Sequence, residues 1–433
     1  MQFIRHTLAV TAMVYFTLGL FAADSSSWLV TYATAEDWPQ WRGVRADGSW
    51  NGPNIAAKFP ENGLSSVWKV TIGPGYSGIS VVGNSGYTMD KPSTPVDHER
   101  IVCFDIATGK LNWEYVYDAP YGKLDYGSGP RCTPTIRSGQ VFTFGAMGHV
   151  HCLDARTGAV SWTKDLVRDF GTKVPEWGFA ASPVIHGENV IIHAAVKGGA
   201  YIAFDRLTGQ ERWRGGIAST GYGTPIIIQH AGVEQLIGWT PECILGLSLN
   251  DGHELWRVPY QVTYGVSIAT PIYHQQTVVV CGYWEGTKAI RLGPGANDAR
   301  LLWEENRFLR GIMSQPLYRD GHAYLLDKQH GVVCFRWEDG EKVWTDSNQL
   351  TRRDRNPQLN MIWLGDSDRA LCLNAEGELI LVRFAPAGFE ELARAPIIGP
   401  TWAHPALAGN RIYARDDKTL VCVELPLADA AGP

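Results

Sequence analysis

Four arginines and two tryptophans stand at comparable places in this chain. Arg131, Arg310, Arg353, Arg355, Trp177 and Trp402 each lie shortly before a proline that follows a polar residue. Guanidinium groups beside indole rings can hold a flat anion, by charge and by stacking. Tyr76, Tyr126, Tyr222, Tyr264 and His404 occupy the same kind of position and would extend that surface. The competing reading, and the favoured one, is a set of charges solvated around a wide opening. His149-x-His151 places two imidazoles on one face of a strand, a spacing a metal can use. No third ligand is near it in sequence, so a surface pair is expected. Asp105, Asp154 and Asp205 each come three residues before Thr-Gly or its neighbour and read as turn carboxylates, not catalytic ones. No G-x-S-x-G, H-E-x-x-H, Walker loop or C-x-x-C occurs, so the motif-borne hydrolytic, nucleotide and redox chemistries have no support.

The elements that must position these residues come from a repeat. Val141–Trp162, VFTFGAMGHVHCLDARTGAVSW, reads as three short strands. Val141–Gly145 is rich in β-branched and aromatic residues. Ala146-Met147-Gly148 turns the chain, and Val150–Asp154 returns antiparallel. Asp154 opens a turn that closes on Gly158, which can take positive φ. Trp162 ends the third strand with a large apolar face to bury. The unit recurs at Ile101–Trp113, Tyr201–Trp213, Leu245–Trp256 and Val332–Trp344. A looser copy ends at Trp303, and a decayed one places Leu392 at the Trp position. With Trp68 included, the end positions are about 41–51 residues apart, and a strand-only repeat of that length predicts a β-propeller.

Eight end positions predict an all-β, eight-bladed β-propeller of four-stranded antiparallel blades, with the ring closed by the N-terminal Trp68 strand. Thr133-Pro134, Ser182-Pro183, Thr224-Pro225, Thr270-Pro271, Gln315-Pro316, Asn356-Pro357 and His404-Pro405 mark the inner strands. Proline cannot donate a ladder hydrogen bond, so it suits an edge strand bordering the central channel. The residues just before each proline therefore gather at one channel mouth. The candidate binding residues are Arg131, Trp177, Arg310, Arg355 and Trp402. Asp90–Arg100, Gly293–Arg300 and Arg352–Asn356 interrupt the pattern and are expected on surface loops.

The chain has 433 residues, 17 of them Trp, enough for one large ring. A net charge of −6 gives no electrostatic case for nucleic acid. Residues 1–35 read as an export signal: Arg5 and His6, then the apolar run Leu8–Ala23, then the cleavage site Ala33-Thr34-Ala35. Ala23 is a second cleavage candidate, and an uncleaved anchor is the alternative. No Cys lies near either site, so a lipid anchor is not expected. The remaining divisions are an extended segment 36–64, the propeller 65–425 and a tail 426–433. The segment, with Trp38 and Trp41, is expected to pack over the ring. Cys103, Cys152, Cys334 and Cys422 share one small buried slot and should lie too far apart to pair. Pairing among Cys132, Cys243, Cys281 and Cys372 is left open.

The repeats, with their Asp-x-x-Thr-Gly turn and terminal Trp, resemble the PQQ-like propeller repeat over roughly 65–425. That family includes quinoprotein alcohol dehydrogenases and BamB-type outer-membrane assembly proteins. Trp38-Pro39-Gln40-Trp41-Arg42-Gly43 also resembles the N-terminal motif of exported bacterial members. The dehydrogenase branch implies PQQ in the channel, a calcium ion, a catalytic Asp and an adjacent Cys-Cys disulfide. This sequence has no adjacent Cys pair and no C-x-x-C-H, and Glu176, Asp354 and Asn356 are the nearest candidates for a calcium set. The BamB branch implies no catalysis and a ring presented to envelope proteins. The resulting expectation is an exported, monomeric, non-catalytic scaffold of the periplasm or cell envelope, with no cofactor, no nucleic acid and no stable membrane span after signal cleavage. A PQQ-binding quinoprotein oxidoreductase with calcium is the alternative.

Overall fold

Proline sets where the blades begin. Inner strands start directly after Pro134, Pro183, Pro225, Pro271, Pro316 and Pro405, at Thr135, Val184, Ile226, Ile272, Leu317 and Ala406. In the seventh blade one residue separates Pro357 from Leu359. The computed structural model describes residues 37–428 except 95 and 312. The expected export signal lies outside the described residues. Among those described, eight blades form one ring, and their strands run consecutively from the channel outward. Blades 1 to 7 span 80–118, 135–165, 184–215, 226–259, 272–305, 317–345 and 359–396. Blade 8 combines 406–424 with Ser66–Thr71, whose Trp68 lies opposite Cys422.

Five of the polar residues before the prolines lace neighbouring blades. Ser182 Oγ accepts from the Thr133 N–H at 2.9 Å, and Thr224 Oγ1 accepts from the Ser182 N–H at 2.9 Å. Gln315 Oε1 accepts from the Thr270 N–H at 2.5 Å. These bonds satisfy backbone donors that an inner edge would otherwise leave open.

The outer seams are held by the repeated Trp. Each sits across from a small residue: Cys103 faces Trp113, Cys152 faces Trp162, Ala203 faces Trp213, and Cys334 faces Trp344. The indole N–H then donates to a carbonyl in the turn of the next blade. Trp113 reaches Ala155 O at 3.0 Å, Trp162 reaches Arg206 O at 2.9 Å, and Trp344 reaches Ala385 O at 2.9 Å. In the repeat's regular turn the Asp carboxylate organises the backbone: Asp154 Oδ1 accepts from the N–H groups of Arg156 and Thr157 and from the Thr157 hydroxyl. Gly158 closes that turn with φ +73, and a Cβ there would lie 2.7 Å from the Trp113 ring. Gly158→Ala is therefore expected to cost more than about 1 kcal/mol, from strain and overpacking together. A denaturant midpoint equal to that of the unaltered protein would contradict this.

Two seams depart from the rule. The turn of blade 5 between Leu292 and Ala299 is expanded, and Trp256 of blade 4 donates instead to Gln235 Oε1 at 2.9 Å. Gln235 in turn donates to Ala296 O in the expanded turn at 3.2 Å. In blade 7 the Trp position holds Ala393, opposite Leu381; Leu392, expected there from sequence, is the bulge residue beside it. The absence of Trp has a geometric reason. Blade 8 takes its outer strand from the N-terminal part of the chain, so no turn joins its last two strands and none can receive an indole. Residues near the two chain ends cover this seam. Ile55 bridges Leu427, the Ala56 N–H donates to Pro426 O, and Arg369 donates to Ile55 O and Asn54 Oδ1.

One further expectation needs correction, and one open question is answered. Asp90–Arg100 is not all loop: Asp90 ends one strand, Arg100 lies in the next, and the half-buried Arg100 pairs with the buried Asp90 at 2.6 Å. All eight cysteines are buried and unpaired, which settles the four left open. Burial pushes the thiols of Cys132, Cys152, Cys281 and Cys334 up to about 12. A thiol reagent should label none in the native protein and all eight after denaturation. Fast labelling of native protein would count against the packing described.

Candidate functional site

The channel is not open from end to end. The segment expected over the ring instead runs into it and crosses it. Trp38 pairs with Val81 on the inner edge of blade 1, and the Ile136 N–H of blade 2 donates to Pro39 O. On the other side the Trp41 indole donates to Thr270 Oγ1 at 2.9 Å, and Arg42 Nη2 donates to Pro316 O at 3.0 Å. Ser49–Trp50 then adds a parallel strand to the inner edge of blade 7. Trp38 and Arg42 are each 1 % exposed. Burial lowers the Arg42 guanidinium to about 10, with Asp47 as the nearest compensating charge.

This plug leaves a space on either side, and Trp41 lines both. One is the expected mouth, a well of about 370 Å³. Three aromatic groups surround it. Trp402 packs on Tyr76 and Tyr126 with ring centroids 5.6 and 5.7 Å away. Trp177 packs on Tyr222 at 5.5 Å. Trp284 packs on Tyr283 at 4.5 Å and on Tyr264 at 6.4 Å. Tyr264 reaches solvent from a turn in which its own φ is +56. The polar lining includes Ser182, Thr224, Thr270, Gln315, Asn356, Gln358 and His404, and among the described residues it holds no carboxylate. Burial lowers His404 to about 4, so its imidazole is neutral near pH 7.

Of the five candidate residues, Arg131, Trp177, Arg355 and Trp402 meet in this well. Arg310 does not line it; its side chain bonds Asp327 and Gln329. The two lining arginines differ. Arg131 donates to the carbonyls of Gly129, Asp125 and Tyr126 and lies over the rings of Tyr76 and Tyr121. It clamps its own loop, and burial lowers its pKa. Arg355 is exposed on the rim, and no hydrogen bond ties its guanidinium to the described residues. Trp41, Tyr283, Trp284 and Gln358 were not anticipated. Trp41 carried a signal, its Trp-rich hexapeptide, but nothing local places that hexapeptide inside the ring.

His149 and His151 do not form a surface pair. His151 is buried, 4.2 Å from the Tyr117 ring and 5.3 Å from Tyr115. Among the described residues no group of three or more His, Cys, Asp or Glu is placed to hold a metal. Asn356 bonds the Tyr126 hydroxyl, and the Asp354 carboxylate accepts from the Arg355 N–H. A tricarboxylate quinone with its calcium would need carboxylate ligands for the metal and several available cations. The lining holds no carboxylate and commits one of its two arginines to backbone carbonyls. The residues present do not fit that group.

Comparison with known proteins supplies the remaining findings. The family described as outer membrane protein assembly factor BamB matches residues 57–229, 97–346 and 241–426. The outer membrane protein assembly factor BamB of Moranella endobia is 24% identical over 319 residues, covering 59% of this chain and 77% of that protein. The crystal structure of BamB from Moraxella catarrhalis superposes with a TM-score of 0.58 at 17% identity, covering 86% of this chain and 99% of that one. Quinohemoprotein alcohol dehydrogenase from Comamonas testosteroni gives a TM-score of 0.64 at 13% identity, covering 93% and 82%. Likeness at these identities shows a shared fold.

Proposed function

The chain belongs to the family described as outer membrane protein assembly factor BamB, and from that membership we propose that it is a non-catalytic scaffold of the cell envelope, presenting ring faces and loops to protein partners. The family match, extending across nearly the whole ring, carries this reading. The use of the repeated residues supports it. The turn aspartates are spent on backbone N–H groups, the tryptophans on inter-blade seams, and the polar residues before proline on lacing the channel. The export signal read at residues 1–35 would deliver the ring to the periplasm.

The test is crosslinking in cells. A photo-crosslinking residue is placed at exposed positions such as Ile217, whose side chain lies outside the repeat's packing. Discrete adducts with envelope proteins are expected. Adducts no stronger than background at every exposed loop would end the scaffold reading. The same purified protein, supplied with PQQ and calcium, is expected to show no dye-linked alcohol or sugar oxidation; sustained turnover would replace the scaffold with an oxidoreductase.

A further inference from the structure

The well on the mouth side of the plug has a composition that a scaffold does not require. We infer that it is a binding site for a small planar aromatic ligand carrying a single carboxylate. The inference concerns this well alone and does not depend on a protein partner.

Shape comes first. At about 370 Å³ the well lies in the range of small-molecule sites. Trp41 of the plug joins its lining, held by its own hydrogen bond to Thr270, so the well does not lead on as an open channel. Aromatic rings on opposite sides, those of Trp402 with Tyr76 and of Trp177 with Tyr222, offer faces and edges to a flat ring.

Charge decides the rest. With no carboxylate in the lining and two arginines present, a cationic ligand would be repelled. A polyanion lacks partners, because Arg131 donates to three backbone carbonyls and only Arg355 is uncommitted. A further donor is the Gln358 amide. Its oxygen already accepts from Ser314 at 3.2 Å, while its Nε2 donates to no described residue, although Gln358 is only 4 % exposed and lines the well. A buried amide N–H facing a cavity favours a ligand that supplies an acceptor. One uncommitted guanidinium, with the Gln358 amide and many rings beside it, matches one carboxylate on one aromatic system.

The experiment is calorimetric titration of the full-length protein with 2-naphthoate, with the neutral 2-naphthamide as its partner probe and PQQ as the polyanion. Saturable one-to-one binding of naphthoate is expected, at least fivefold tighter than naphthamide. Arg355→Gln should weaken naphthoate at least fivefold and leave naphthamide unchanged, with Arg355→Lys partly restoring it. Arg355 makes no side-chain bond that folding depends on, and an unaltered denaturant midpoint will confirm an intact ring. Absence of naphthoate binding at millimolar concentration overturns the inference. So does any dependence on Arg355 smaller than fivefold, or PQQ binding more tightly than naphthoate.

Discussion

Trp162→Ala will lower the stability of the ring by about 3–5 kcal/mol, the usual cost of emptying a large aromatic site in a core. Trp162 is 8 % exposed, packs near Phe142 and Phe204, lies against Gly209 of the next blade, and donates to Arg206 O at 2.9 Å. The substitution removes the ring and leaves the Arg206 carbonyl without that donor, so transfer, cavity and hydrogen-bond losses add. Urea denaturation of both proteins measures the effect. A loss below about 1 kcal/mol would mean that the seams are not held by the indoles. The informative control is Ala393→Trp. It restores the repeat's residue at the one outer seam with no turn to receive it, and no gain in stability is expected. A gain comparable to the Trp162 loss would refute the account of that seam.

Stability will also fall steeply as pH drops from about 6.5 toward 4. Burial lowers His151 to about 3, with the neighbouring His149 charge adding to the effect. It lowers His193 and His404 to about 4 each. In the unfolded chain a histidine takes up its proton near pH 6.5. Between that value and the folded pKa the unfolded state holds more protons, so folding stability is complete above about 6.5 and is lost as pH falls. Each histidine contributes a slope of up to about 1.4 kcal/mol per pH unit. His193 shows why the neutral form is kept. Its Nδ1 lies 3.1 Å from Gly223 O, and its Nε2 accepts from the Gly221 N–H at 3.1 Å. A proton on Nε2 would break the second bond. Asp346 works in the opposite direction, since burial raises its pKa and its carboxylate favours folding less as pH rises. The measurement is the free energy of urea unfolding at pH 7.5 and pH 5. His193→Gln should remove about one proton's worth of the slope. Equal stability at the two pH values would show that these imidazoles are not buried as described.

The ring was legible because its signals are local and repeated. Asp154, Gly158 and Trp162 stand within nine residues of sequence, and each does the same work in several blades. The blade 7 register was not legible. Leu392 has the apolar character the position asks for, but a bulge shifts the strand by one and gives the site to Ala393. Sequence spacing cannot show an unpaired residue in a ladder. The plug was not legible for a different reason. Trp41 and Arg42 find their partners at Thr270 and Pro316, and no local pattern distinguishes a segment lying on a ring from one lying within it. For the well, the residues before each proline gave the right neighbourhood. Arg310 faces away because Asp327 captures it, and a short sequence window contains no sign of that pairing.

The joint between the two ends of the chain imposes an order in time. Ser66 is made early, yet its partner Val423 follows roughly 350 residues later, and Ile55 waits for Leu427. Blades 1 to 7 can collapse as they are made, but blade 8 lacks its outer strand until both ends are available. A ribosome or export channel that still holds residues 419–428 therefore holds an open ring, with the facing edges of Arg411–Arg415 and Ser66–Thr71 unpaired. Such long-range closure is slow and leaves strand edges exposed meanwhile. The last ten residues described thus govern when the ring closes, and a chain released without them is expected to join other chains through the edges of Arg411–Arg415 and Ser66–Thr71.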